Sequence, residues 1–129
     1  MTQNSEHAAP RILVIDDEPG ICLAVSLLLE QQYAVVSEMT AEAGLARARE
    51  PFALILLDLL MPGVNEYDLL KGIQQNAAQT PIVVLSAMGD KRTHDEVLRH
   101  GASGLIEKPF TRQELLLGVE NVLSRRFRQ

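Results

Sequence analysis

At 129 residues and 47% hydrophobic content, the chain is one domain with enough apolar material for its own core. Its formal net charge of −5 argues against a general nucleic-acid or anionic-membrane surface. One cysteine, Cys22, allows no internal disulfide and suits a reducing, cytoplasmic setting, while no apolar run reaches the roughly 20 residues of a membrane span.

Residues 1–10 are polar and lack the apolar stretch of a signal peptide, so a loose tail is expected there. Arg11-Ile12-Leu13-Val14-Ile15 is a short apolar run, read as a buried strand, and Asp16-Asp17-Glu18 follow at its C-terminal end. Pro19-Gly20 opens a helix whose apolar residues Ile21, Val25, Leu28 and Leu29 recur at helical spacing to about Gln31. Cys22 lies in that stretch and reads as a small buried hydrophobe. Residues 33–36 make a second strand. Thr40 is placed to cap a helix running to Pro51, with Glu42 near its positive end.

Residues 53–57 are continuously apolar, as in a strand buried on both faces; Asp58 follows at once and Pro62-Gly63 breaks the element. Residues 66–76 read as a helix with Leu69, Leu70 and Ile73 on one face. Residues 81–85 form a fourth buried strand ending at Ser86-Ala87. Asp90 is the expected cap of a helix running to His100, and Gly101 sits where that helix stops. Residues 104–106 are a short fifth strand ending at Glu107-Lys108-Pro109. Thr111 caps a last helix that carries Leu115, Leu116, Val119, Val122 and Leu123. His7, His94 and His100 show no ligand spacing and read as surface residues. The basic residues 125–129 are a solvated helix end or the start of a linker.

Five strands alternating with five helices predict right-handed βαβ units, a parallel sheet and helices on both faces. Four strand ends then share one edge of the domain: Asp16 and Asp17, Asp58, Ser86, and Lys108. A single carboxylate at a strand end is more often a turn cap. Three that converge repel one another, and a hard divalent cation such as Mg2+ resolves this with one or two carboxylates, waters and phosphate oxygens. Lys108 and the Ser86 hydroxyl remain for a phosphoryl group's other oxygens. Asp58, on the middle strand, is the natural nucleophile for an aspartyl phosphate.

Asp16-Asp17-Glu18 after a strand, Asp58-Leu-Leu-Met61-Pro62-Gly63, Ser86-Ala87 and Lys108-Pro109-Phe110 together resemble the receiver domain of two-component response regulators. The likeness covers about residues 11–123, placing the receiver domain at 11–124. It implies a flavodoxin-like (βα)5 three-layer sandwich with a five-stranded parallel sheet in the order 2-1-3-4-5. It implies phosphorylation of Asp58 by a sensor histidine kinase or a phosphotransfer protein. Carried over by position, Asp17, Asp58 and the Leu60 carbonyl would ligate Mg2+, with Asp16 acting through water. Ser86 and Lys108 would bind phosphoryl oxygens, and Lys108-Pro109 would be a cis peptide. Ser86, Ala87, Leu105, Lys108 and Pro109 would form the switch region. A downstream output domain or protein would receive the signal, and the likeness admits a homodimer through the last helices. It implies no direct nucleic-acid contact by this domain, no membrane, and no metabolic reaction beyond Mg2+-dependent self-phosphorylation and self-dephosphorylation.

Five positions depart from the family pattern. Leu105 stands where an aromatic switch residue is usual. Glu66 and Gln32 replace usual glycines, and Ser103-Gly104 replace the acidic pair of some DNA-binding subfamilies. In resembling proteins the positions of Leu60 and Met88 flank the path of an in-line water; neither side chain can orient it, so the resemblance implies slow hydrolysis, unless they simply cover the sheet edge. The competing readings are a pseudo-receiver that binds partners without phosphorylation, and a flavodoxin-like phosphohydrolase or flavin binder. The latter lacks a phosphate-cradling loop after the first strand.

Overall fold

The computed structural model describes residues 9–87, 90 and 93–127, the side chains of residues 126 and 127 excepted. His7, Met88 and most of the expected tail lie outside these. Five strands, β1 (Arg11–Ile15), β2 (Ala34–Glu38), β3 (Leu54–Asp58), β4 (Ile82–Ser86) and β5 (Gly104–Glu107), alternate with five helices. The helices are α1 (Pro19–Leu29), α2 (Ala41–Arg47), α3 (Glu66–Asn76), α4 (His94–Arg99) and α5 (Arg112–Phe127). All strand pairs are parallel, in the order β2-β1-β3-β4-β5. This is the expected flavodoxin-like arrangement.

Neighbouring residues of a strand point to opposite faces, so each strand feeds two cores. Leu13, Ile15, Ile55, Leu57, Ile82 and Val84 pack with Leu69, Leu70 and Ile73 of α3 and Val97 of α4. Ile12, Val14, Leu54, Leu56, Val83 and Leu85 pack with Cys22, Val25 and Leu29 of α1 and Leu115, Val119 and Val122 of α5. Every residue of β3 and β4 is buried, whereas the edge strand β2 is not. Gly118 lets α5 lie close on β5, because a Cβ there would come within 2.5 Å of Ile106 Cδ1.

The boundaries differ from the sequence reading in ways that pairing explains. β3 and β4 each start and end one residue later than the apolar runs suggest, since Asp58 pairs with Leu85 and Ser86 with Glu107. β2 extends through polar Ser37 and Glu38, which an edge strand tolerates, to stay in register with Ile15. α1 ends at Leu29 and α2 at Arg47, before Gln31 and Pro51. Asp90 is not the cap of α4. Thr93 stands directly before the helix, and its hydroxyl accepts the Glu96 amide at 3.0 Å. The expected caps Thr40 and Thr111 do accept the amides of Ala43 and Glu114. Where glycine gives way to Glu66, Asn65 caps α3, and the left-handed residue of that loop is Gly63 at φ 78°. Among the described residues, no helix is long and apolar enough to cross a membrane.

Candidate functional site

The site forms where the strands end. Asp16 follows β1 directly and is fully buried; its Oδ1 accepts the backbone amide of Glu18 at 2.9 Å. Asp58 is the last residue of β3, and its Oδ1 accepts the amide of Leu60 at 2.9 Å. Both are Asx turns, in which a short carboxylate satisfies the amide two residues on and is held against its own loop. One carboxylate oxygen from each of Asp16, Asp17 and Asp58 lies within 4.8 Å of the others.

Lys108 reaches into this group just after β5. Its ammonium lies 2.8 Å from Asp16 Oδ2, 2.8 Å from Glu18 Oε1 and 3.6 Å from Asp58 Oδ2. Burial opposes the charge on Lys108, yet its contacts with Asp16 and Glu18 outweigh burial and hold the ammonium above its usual range. Burial also pushes the Asp16 carboxyl up, and the partnership with Lys108 offsets this only in part. Among the described residues Asp16 Oδ2 accepts no well-directed hydrogen bond, though the Lys108 ammonium lies 2.8 Å away.

Asp16, Asp17 and Asp58 thus converge beside one ammonium, a formal surplus of two negative charges around buried Asp16 and Asp58. A surplus of that size, with a buried carboxylate oxygen short of donors, fits a hard divalent cation on oxygen ligands. The cluster of Asp16, Asp17 and Asp58 could hold a metal ion.

Ser86 closes β4 and is buried; among the described residues its hydroxyl makes a long contact, 3.5 Å, to the carbonyl of Ala87. The Lys108 amide donates to the Ser86 carbonyl at 2.7 Å, joining the ends of β4 and β5. The Lys108-Pro109 peptide is cis, as the resemblance implies. Leu60 is half exposed beside Asp58. Leu105 is partly buried and packs on the α3–α4 core. Cys22 is buried, as expected; its thiol contacts the Asp16 carbonyl at 3.4 Å, and burial pushes its pKa up.

All the sequence-predicted carboxylates and Lys108 therefore come together, with Ser86 joined to Lys108 through the backbone. Two groups were missed. Glu18 was seen only as part of an acidic run, yet it binds Lys108 across 90 residues of chain. Tyr67 stacks on His100, with ring centroids 3.6 Å apart and planes at 9°, and donates to Glu96 Oε2 at 2.9 Å. His100 is thus a surface residue with a partner, joining α3 to the end of α4. An aromatic in the first turn of a helix was the available signal.

The model of the response regulator receiver domain matches residues 12–120. This chain is a response regulator receiver domain. The response regulator ArlR of Staphylococcus saprophyticus is 37% identical over 119 residues, covering 89% of this chain and 53% of that protein. The transcriptional regulatory protein ResD of Bacillus subtilis is 34% identical over 117 residues, covering 89% of this chain and 48% of that protein. The receiver domain thus spans about half the length of these two relatives. A crystal structure of a response regulator receiver domain protein from Clostridium thermocellum matches with a TM-score of 0.81 at 27% identity, covering 92% of this chain and 97% of that one. Receiver domains are the phosphorylation-operated switches of two-component signalling, and that is the class of function to which this chain belongs.

Proposed function

We propose that Asp58 is the phosphoacceptor and that the domain switches the binding of a downstream partner when Asp58 is phosphorylated. What supports this is the meeting of three carboxylates within 4.8 Å beside an ammonium 3.6 Å from Asp58 Oδ2. A carboxylate oxygen of Asp58 attacks the donor's phosphorus, an O–P bond forms, and the bond to the leaving group breaks with its electron pair going to that group. No general base is required, because the attacking carboxylate carries no proton to remove. Asp17, Asp58 and the Leu60 carbonyl, with Asp16 through water, would hold Mg2+, which would supply neutralising charge for the carboxylates and the phosphoryl oxygens. Lys108 pairs with one phosphoryl oxygen. The Ser86 hydroxyl turns from its long contact with Ala87 to another. Pro109 and Leu105 carry the displacement onward in β5.

A sensor histidine kinase or a phosphotransfer protein supplies the phosphoryl group in the cytoplasm, and small phosphodonors do so in its absence. An output domain or protein reads the result, with a homodimer through α4 and α5 as one form of read-out. The pseudo-receiver alternative has nothing in its favour, since acceptor, acidic cluster and lysine are all in place.

Acetyl phosphate or phosphoramidate with Mg2+ should add one phosphoryl group per chain, read by intact mass, and Asp58→Asn should add none. Undiminished labelling of Asp58→Asn would reject the assignment.

A further inference from the structure

Lys108 has three N–H donors, and two of its close partners differ sharply. Asp16 is fully buried and pinned through Oδ1 to the Glu18 amide, so it cannot leave. Glu18 approaches Lys108 just as closely, 2.8 Å, yet its side chain is 61% exposed. Its backbone is held by the first turn of α1, where the amides of Ile21 and Cys22 donate to its carbonyl, but its carboxylate, bonded to Lys108, lies at the surface where water can solvate it. Meanwhile Asp58 Oδ2 stands at 3.6 Å, beyond a good hydrogen bond. The ammonium is drawn toward the β1 side of the cluster and away from the residue on which a phosphoryl group would sit.

Resting on the phosphoacceptor reading above, we propose that Glu18 is a positioning residue: it parks Lys108 in the unphosphorylated state and competes with the phosphoryl oxygens for the ammonium. A phosphoryl group on Asp58 brings anionic oxygens into the gap beside Lys108. Its third N–H can meet them only if the ammonium shifts from the β1 side toward Asp58, which stretches the contact with one close partner. Asp16 cannot follow or rotate, whereas Glu18 can turn outward and be solvated at small cost. Glu18 therefore lowers the occupancy of the phosphoryl-holding arrangement without touching the phosphoryl group or the cation. Exposed ion pairs contribute modestly, so the handicap is modest too, about two- to fivefold in the equilibrium for holding a phosphoryl mimic.

The test uses the whole chain, beryllofluoride as the mimic, and Glu18→Gln, which keeps the length of the side chain and removes its charge. Two affinities are measured separately: Mg2+ alone, and beryllofluoride at saturating Mg2+. Glu18→Gln should bind beryllofluoride about two- to fivefold more tightly than the parent and bind Mg2+ equally well. A residue with a merely structural role would weaken both together. Unchanged or weaker beryllofluoride binding by Glu18→Gln overturns the proposal, and so does a drop in its Mg2+ affinity, which would put Glu18 in the cation site. Asp58→Asn separates the two levels. If the parent binds no beryllofluoride, or Asp58→Asn binds it as well as the parent, the phosphoacceptor reading fails and takes this one with it. If the parent binds, Asp58→Asn does not, and Glu18→Gln is no tighter, only the role of Glu18 is wrong.

Discussion

Two clusters of charge hold this domain together in opposite ways. Around Lys108, the carboxylates of Asp16, Glu18 and Asp58 share one buried ammonium, and Asp17 lies close to Asp16 and Asp58. Along the β1–β2 side, Arg11 and Arg47 meet Glu38 and Glu50 one for one. Arg11 binds Glu50 at 3.0 Å, and Arg47 binds Glu38 at 2.9 Å and Glu50 at 3.1 Å. Arg11 also lies 4.4 Å over the ring of Phe52. In this second cluster hydrogen bonding from Glu38 holds Arg47 above its usual range, while Arg11 holds Glu50 below its own. Every charge there has its complement, and water reaches the group. Such a network is at rest and takes up nothing. The Lys108 cluster is unbalanced, and Asp16, Asp58 and Lys108 are buried, so a bound cation would stabilise it.

The sharpest way to break this contrast is to remove the lone cation. Lys108→Ala should cost about 3 kcal/mol at neutral pH, because buried carboxylates lose their counter-ion. Mg2+ should return much of the loss in a urea denaturation series. A loss that Mg2+ leaves untouched would mean that Lys108 matters for packing and not for charge.

Removing one buried carboxylate should do the reverse. The folded protein holds Asp16 above its usual value of 3.8, so the native state keeps the proton longer than the unfolded chain does. Ionised Asp16 therefore costs stability as pH rises through its folded value, and the cost is absent below 3.8. Asp16→Asn should be more stable than the parent at pH 7, with the advantage shrinking toward pH 4. Equal stability at pH 7 would show that the pair with Lys108 fully repays burial.

A hydrogen bond between α3 and α4 gives the scale between the two clusters. Tyr67→Phe keeps the stack on His100 and loses the hydroxyl's bond to Glu96, a change of about 1 kcal/mol in thermal or urea unfolding. The smallest effect is expected in the balanced network. Arg47→Gln should shift the melting temperature little, and high salt should erase the shift. A large, salt-resistant loss would contradict the contrast drawn here.

The sheet order and the meeting of Asp16, Asp17, Asp58 and Lys108 were legible in the sequence for a physical reason. Buried parallel strands must be apolar throughout, so a charge at their end stands out, and the topology brings those ends to one edge. What the sequence hid depends on partners distant along the chain. Glu18 meets Lys108 from 90 residues away, and nothing local separates it from Asp16 or Asp17. Ser37 and Glu38 look like loop until pairing with β1 makes them strand. Thr93 outcompetes Asp90 as a cap because helix position, not residue type, decides which side chain reaches the amide of Glu96. The stack of Tyr67 on His100 requires knowing how α3 and α4 cross.

The 2.7 Å hydrogen bond from the Lys108 amide to the Ser86 carbonyl yokes two loops that belong to different strands. The residues at its two ends are those assigned to the phosphoryl oxygens. A pull on the serine strains the bond to the lysine's own backbone, and the reverse holds as well. The ends of β4 and β5 are geared together and cannot respond one at a time. A half-engaged state, with one loop drawn in and the other left at rest, would have to break a main-chain bond in a buried place, a penalty of about 1–3 kcal/mol. If Ser86 and Lys108 hold the phosphoryl oxygens as proposed, this bond would make them respond together with no aromatic needed at Leu105.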